Sequence, residues 1–203
     1  MHVFLIHGMG RSPLSMAPLA WHLRRQGHST SSFGYSVRAR ALDAIAEGFL
    51  AHVDAGLRAR PGEPYAIVGH SLGNIITRVL TDRLPERLAG FVMLAPPNNS
   101  PSLARAFGRR RIYRAFTGDA GQRLGDTAFY AALPRPSAPC LIIAGNRTTP
   151  LLPYRGEAES DGIVSVDETR LEGVRHEVVP AVHSLIMNHP RARQIITGFL
   201  EIA

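Results

Sequence analysis

The sequence predicts an α/β fold in which about six parallel strands carry helices on both faces. Short apolar runs alternate along the chain with segments whose apolar residues follow helical spacing. Several of these runs are apolar throughout, which is typical of parallel strands buried on both faces. With 203 residues, of which 45% are hydrophobic, the chain is long enough for one substantial core. We therefore expect residues 1–203 to form a single domain.

The first half of the chain alternates strictly between the two kinds of element. Residues 3–6 form a short apolar run that ends at a glycine-rich turn, which predicts a buried strand. Helices are indicated where apolar residues recur every three or four positions, and Gly27 supplies a stop signal for the first of them. The predicted elements are strand 3–6, helix 13–26, strand 29–35, helix 41–58, strand 65–68 and helix 72–84.

The second half keeps this alternation except in one stretch. Residues 98–137 are rich in Gly, Arg, Ser and Pro, and we interpret them as one or two short helices over the top of the sheet. Pro190 suits the first position of the closing helix. The remaining predicted elements are strand 88–94, strand 139–144, a long loop over 145–167, strand 174–179 and helix 191–200.

The stretch Gly69-His70-Ser71-Leu72-Gly73 places a serine between a predicted strand and a predicted helix. Gly-x-Ser-x-Gly in this context is typical of a nucleophile elbow, a sharp turn that exposes the serine above the sheet. The two glycines lack a Cβ, so neighbouring backbone can pass close on both sides. A helix N-terminus also favours the negative charge that develops during acyl transfer. The pattern predicts Ser71 as a nucleophile.

A serine nucleophile needs a base and an acid that orients the base, and both must lie at the same edge of the sheet. In elbow-type hydrolases the chain order is serine, acid, histidine. Among nine histidines, His183 follows the last predicted strand and is the expected base, with His189 as the alternative. Asp161, in the loop after strand 139–144, is the expected acid; Asp167, Glu159 and Glu157 are the alternatives.

The developing oxyanion requires two backbone donors. One is the N–H of Leu72, the residue after the nucleophile. We expect the other from the glycine-rich turn His7-Gly8-Met9-Gly10, with Met9 as the donor. For the acyl group, Leu103, Phe107, Ile112 and Phe116 are candidate apolar contacts; packing in the core explains them equally well.

Composition narrows the remaining classes of function. The formal charge is +7, and all 23 basic residues are arginine, scattered over helices and loops except at 109–111. We interpret this charge as solvated surface and expect no nucleic-acid partner. The single cysteine, Cys140, lies in an apolar run and is expected to be a buried residue. No signal segment or spanning stretch is evident, which favours a cytoplasmic protein without stable membrane insertion; secretion stays open if the chain is a processed form.

The stretches 3–10, 65–73, 160–166 and 174–184 together resemble the α/β-hydrolase superfamily. More narrowly, the chain is similar to compact bacterial lipases and esterases of the Bacillus lipase A type and to the class 2 lipases. The resemblance covers most of the chain apart from residues 98–137. It departs from the smallest lipase at Gly69, where that enzyme has alanine, and in the 98–137 excursion, which would act as a partial lid.

The resemblance implies a minimal α/β-hydrolase fold without metal or organic cofactor. It assigns Ser71 as nucleophile, Asp161 as acid and His183 as base, with Met9 and Leu72 at the oxyanion positions. The expected activity is hydrolysis of carboxylic esters through an acyl-enzyme, on a small or lipid-like substrate. Thioesterase or acyltransferase activity would use the same residues. A non-catalytic binding member of the fold is the alternative from another class.

Overall fold

A six-stranded parallel sheet forms the centre of the protein. The computed structural model describes residues 1–99, 111–149 and 158–203, and for residues 111–116 it describes the backbone alone. The spatial order is β2-β1-β3-β4-β5-β6, and every neighbouring pair runs parallel. The prediction of six parallel strands is confirmed. The strands are β1 His2–Ile6, β2 Ser29–Phe33, β3 Tyr65–His70, β4 Leu88–Leu94, β5 Cys140–Gly145 and β6 Arg175–Val179.

Helices connect the strands and cover the sheet. Most of them match the predicted segments closely. The α-helices within the described residues are α1 Ala17–Arg25, α2 Leu42–Arg58, α3 Leu72–Val79, α4 Arg111–Leu124, α5 Thr127–Ala132 and α6 Pro190–Leu200. Short 3-10 helices occupy Pro13–Met16, Thr81–Arg83, Asp167–Thr169 and His183–Asn188.

Two predicted helices are shorter than expected. The segment 13–26 begins as a 3-10 turn over Pro13–Met16 and becomes an α-helix only from Ala17. The segment 72–84 ends its α-helix at Val79 and continues as a separate 3-10 turn. Both differences fall at element ends, where local sequence signals are weakest.

The core consists of two layers, one on each face of the sheet. Side chains alternate between faces along a strand, so Val3 and Leu5 pack in one layer while Phe4 and Ile6 pack in the other. Helices α1 and α6 cover the first layer. Helices α2 and α3 cover the second. The sheet is therefore buried on both sides, as its continuous apolar strands predict.

The described part of the excursion packs on the second layer. Ala120 and Leu124 of α4 belong to that layer, and Asp119 Oδ2 accepts a hydrogen bond from the Leu42 N–H at the start of α2. Arg78, buried at the end of α3, donates to the carbonyl oxygens of Leu133 and Pro134 just after α5. One or two short helices over the top of the sheet were expected in 98–137; the described part contains α4, which has 14 residues, and the six-residue α5. Among the described helices, none combines the length and apolar character needed to cross a membrane.

Candidate active site

Ser71 occupies a strained turn between β3 and α3. Its backbone has φ 51° and ψ −120°, a region that costs a non-glycine residue of the order of 1–3 kcal/mol. The Ser71 N–H donates to Leu94 O at 2.9 Å, which ties the turn to the end of β4. A Cβ on Gly73 would lie 2.6 Å from Ile6 O, and a Cβ on Gly69 would collide with the Asn74 side chain. Glycine at both positions avoids these contacts, and the turn has the geometry of a nucleophile elbow.

His183 follows β6, which lies three strands from β3 in the sheet, and its side chain reaches Ser71. It begins the 3-10 helix His183–Asn188, shortly after β6 ends at Val179. His183 Nε2 lies 2.9 Å from Ser71 Oγ. This distance is within hydrogen-bond range for a hydroxyl donating to an imidazole nitrogen. The structure thus brings together two side chains that are 112 positions apart in the sequence.

Asp161 holds the other nitrogen of the same ring. His183 Nδ1 lies 2.6 Å from Asp161 Oδ2, and the aspartate side chain is fully buried. Its second oxygen, Oδ1, accepts from the backbone N–H groups of Ile163 at 3.0 Å and Val164 at 2.8 Å. The His183 N–H also donates to Asp161 O at 2.9 Å. Because a carboxylate accepts from Nδ1–H, Nε2 is left as the acceptor for the serine proton.

The alternative residues lie in other positions. His189 precedes α6 as its N-terminal capping residue, and its backbone N–H donates to Ile186 O. Asp167 is exposed and pairs with Arg170. Glu159 contributes its backbone carbonyl to Val166 N–H, and Glu157 lies outside the described residues. The hydrogen-bonded chain from Ser71 therefore passes through His183 to Asp161 and through none of the alternatives that the structure describes.

The glycine-rich turn after β1 lies directly against the serine. A Cβ on Gly8 would sit 2.9 Å from Ser71 Cβ, so the backbone of Gly8 borders Ser71, and Met9 is the next residue of this turn. Leu72 is the first residue of α3, where backbone N–H groups have no partner within the helix. Leu72 thus follows Ser71 directly, and the expected donor Met9 lies one residue beyond the Gly8 contact. The four candidate acyl contacts lie outside the described side chains: Leu103, Phe107, Ile112 and Phe116.

A comparison with known families identifies the chain. The family described as "Serine aminopeptidase, S33" matches residues 1–117, more than half of the protein. The chain belongs to this family of α/β-hydrolases. The matched region contains β1 to β4, the glycine-rich turn and the elbow.

Relatives of this hydrolase agree with that fold. The "Probable esterase PIR7A" of Oryza sativa subsp. indica is 29% identical over 100 residues, which cover 46% of the chain and only 38% of the rice protein. The mature lipase BlEst2 of Bacillus licheniformis superposes with a TM-score of 0.77 at 17% identity, covering 98% of this chain and 90% of the lipase. The phospholipase PlaB of Legionella pneumophila gives 0.75 at 17% identity, covering 100% of this chain and 61% of PlaB. The resemblance to bacterial lipases and esterases is confirmed at the level of fold.

His70, inside the elbow of the hydrolase, makes a contact that the sequence did not reveal. Its Nε2 lies 2.9 Å from His183 O, and since a carbonyl only accepts, Nε2 carries the hydrogen. Burial, followed by the nearby His183 ring, lowers the pKa of His70 well below its ordinary value. A neutral His70 therefore ties the elbow to the backbone of the histidine opposite.

Tyr35 supports the glycine-rich turn from behind. Its ring stacks on His7 with 4.3 Å between centroids, and its hydroxyl donates to His7 O at 2.8 Å. Burial raises the pKa of Tyr35, so the hydroxyl remains a donor. The sequence predicts Tyr35 only as the end of strand 29–35, whereas β2 ends at Phe33. Its partner comes from a loop 28 positions earlier, and no local pattern signals that pairing.

No group of three or more potential metal ligands forms among the described residues. Cys140 lies at the start of β5, away from the elbow sequence, and burial raises the pKa of its thiol to about 12. A thiol in this state is a poor nucleophile at neutral pH.

Proposed function

We propose that this α/β-hydrolase cleaves carboxylic esters with Ser71 as nucleophile, His183 as general base and Asp161 as the residue that orients the base. The observation that carries the proposal is the continuous hydrogen-bonded chain from Ser71 Oγ through both ring nitrogens of His183 to a buried carboxylate. Three side chains of these types in this order are the recurring arrangement of serine hydrolases.

The chemistry follows from the direction of these hydrogen bonds. Ser71 Oγ attacks the acyl carbon while its proton moves to His183 Nε2. The imidazolium that forms keeps its Nδ1–H on Asp161 and then gives the new proton to the leaving alkoxide. A water molecule enters next. His183 takes its proton, the water attacks the acyl-enzyme, and the proton returns to Ser71 as the carboxylic acid leaves.

We assign stabilisation of the tetrahedral intermediate to the N–H groups of Leu72 and Met9. The position of Leu72 at the start of α3 supports its part, because the helix dipole favours negative charge there. The close approach of Gly8 to Ser71 supports the part of Met9. Removal of one such donor typically costs about 2.7–4 kcal/mol of barrier.

The substrate we propose is a small or lipid-like ester, since the relatives are described as an esterase, a lipase and a phospholipase. The family description names an aminopeptidase, so amide bonds are the second candidate. Thioester hydrolysis and acyl transfer would use the same three side chains. An amide demands more from His183, because the leaving amine must be protonated before it departs.

A panel of p-nitrophenyl esters of increasing acyl length, matched thioesters and aminoacyl p-nitroanilides tests the proposal. We expect turnover of esters, and labelling of the native protein by a fluorophosphonate that is lost in Ser71→Ala. Ser12→Ala, which changes an exposed serine, is the matched control and should behave as the native protein. Absence of both turnover and labelling would favour a non-catalytic binding protein. Preference for anilides would move the assignment to peptide bonds.

A further inference from the structure

One face of α1 exposes large apolar side chains to solvent. Leu14, in the turn leading into the helix, is 80% exposed, and Trp21 is 57% exposed. Positions 14, 18, 21 and 25 recur at helical spacing and share one side, whereas Met16, Leu19 and Leu23 on the other side are fully buried in the core. Leu14, Pro18 and Trp21 therefore form an exposed apolar stripe opposite the buried side, with Arg25 at its end.

The exposed stripe continues to the edge of the candidate active site. Arg11 donates through Nη2 to Ser184 O at 2.9 Å, which joins the segment before α1 to the residue after His183. The next residue, Leu185, is 52% exposed. Three of the four large apolar side chains that the described chain exposes thus belong to this region: Leu14, Trp21 and Leu185. Together with Arg11, Arg24 and Arg25 they form what we call the α1 face.

The part of the sequence that contains α1 is strongly basic. The chain has 16 acidic residues, yet none occurs before Asp43, whereas five arginines do. Arg24 and Arg25 are exposed on α1, and the Arg25 guanidinium lies 4.9 Å from the centre of the Trp21 ring. Glu201, at the end of α6, acts electrostatically on His28 just beyond α1 and is an acidic neighbour of the region. The α1 face is therefore basic at its rim and apolar along its middle.

We propose that the α1 face docks on the surface of an anionic phospholipid bilayer. Amphipathic helices that lie in a bilayer interface combine exposed Trp and Leu with arginines on the flanks. Trp prefers the depth of the headgroups, and each arginine near an anionic leaflet strengthens binding. Nucleic acid would use the arginines but not the exposed leucines.

Docking in this orientation brings the catalytic edge close to the lipid. The Arg11–Ser184 hydrogen bond lies one residue from His183, so the rim of the site borders the α1 face. A substrate with an acyl chain would then reach Ser71 from the interface. The docking proposal does not require catalysis, and its test uses an inactive variant.

Trp21 is the only tryptophan, so its fluorescence reports on the α1 face alone. The experiment titrates the Ser71→Ala protein with phosphatidylcholine vesicles that contain phosphatidylglycerol, and separately with pure phosphatidylcholine vesicles. We expect a blue shift of Trp21 emission and quenching by brominated lipid with the anionic vesicles at low salt. Both signals should fade at high salt, because the lipid charge is then screened.

Variants separate the α1 face from net charge. Arg24→Gln with Arg25→Gln should weaken binding to anionic vesicles at least about tenfold in a sedimentation assay. Arg58→Gln with Arg135→Gln removes the same charge from exposed sites outside this face and should change binding by less than about threefold. Leu14→Ser with Leu185→Ser should weaken insertion while the salt dependence persists.

Three results would overturn the proposal. The first is no change in Trp21 emission with anionic vesicles, and the second is an equal change with pure phosphatidylcholine. The third is a blue shift that grows with protein concentration, or with duplex DNA, in the absence of lipid. Those last outcomes would assign the α1 face to a second copy of the chain or to nucleic acid. Loss of esterase turnover would leave the vesicle result intact.

Discussion

Asparagine at position 161 would keep the shape of the aspartate but place a donor where the carboxylate only accepts. Asp161 Oδ1 receives backbone N–H groups from Ile163 at 3.0 Å and from Val164 at 2.8 Å. An asparagine NH₂ group could not take that position, because it would face two donors. The amide oxygen must therefore sit there. The NH₂ group then faces His183 Nδ1, where the native carboxylate oxygen lies at 2.6 Å.

This orientation stabilises the wrong tautomer of His183. With Nδ1 accepting from the amide, the ring hydrogen resides on Nε2, which can no longer take the proton of Ser71. If the ring hydrogen returns to Nδ1, the Nδ1–H group and the asparagine NH₂ group are two donors that face each other without an acceptor. Loss of a hydrogen bond to a charged group costs about 1.5–3 kcal/mol, and a buried unsatisfied donor costs about 1–3 kcal/mol. The sum corresponds to a fall in kcat of roughly 10²–10⁴.

The assay is kcat for a p-nitrophenyl ester, measured for Asp161→Asn and for Asp167→Asn as the matched control. Asp167 is exposed and forms an ion pair with its neighbour Arg170, so its variant should stay within about twofold of the native rate. Thermal unfolding should show that both variants remain folded. The reasoning is refuted if Asp161→Asn retains more than a tenth of the native kcat, or if Asp167→Asn is the variant that loses activity.

Four further outcomes are expected. Ser71→Ala should abolish ester turnover. Because alanine also carries a Cβ, the backbone strain of the turn stays the same, and the melting temperature should match that of the native protein. Residual turnover above background would remove Ser71 from the mechanism. His183→Ala should lower kcat at least about 10³-fold, whereas His189→Ala should be nearly silent, and the reverse ranking would exchange the two roles. Gly8→Ala would place a Cβ 2.9 Å from Ser71 Cβ, so kcat should fall about 10²–10³-fold as the turn is displaced, and an unchanged kcat would contradict that packing. Burial lowers the pKa of His2 to about 4, so the free energy of unfolding should fall as the pH drops from 6.5 toward 4. In His2→Gln this fall should be smaller by about 1–2 kcal/mol. The expectation is disproved if the urea midpoints of both proteins change equally with pH.

The elbow could be predicted because all of its requirements are local. Gly69, Ser71 and Gly73 lie within five residues, and the strand before them and the helix after them carry their own periodic signals. The structure adds what a side chain at these glycines would meet, namely the carbonyl of Ile6 at Gly73 and the side chain of Asn74 at Gly69. Neither contact is visible in the pattern itself.

The sequence narrowed the carboxylates that could meet His183 but did not single one out. Asp161, Asp167 and Glu159 share one loop, and each alone is an ordinary surface carboxylate. What separates them is that Asp161 turns inward and takes two backbone N–H groups, which a short turn at Ile163 and Val164 presents. That choice depends on how the loop closes against β5 and His183.

Sequence by itself determined the alternation of strands and helices, the position of the serine on its turn, and the expected edge of the sheet. These follow from hydrophobic period and turn chemistry, which act over a few residues. Only the tertiary structure decided which carboxylate meets His183, that His70 holds the carbonyl opposite, and that α1 leaves one apolar stripe uncovered. The contacts arise between residues 22 and 113 positions apart, and the uncovered stripe arises from what fails to pack, so no local pattern records any of them.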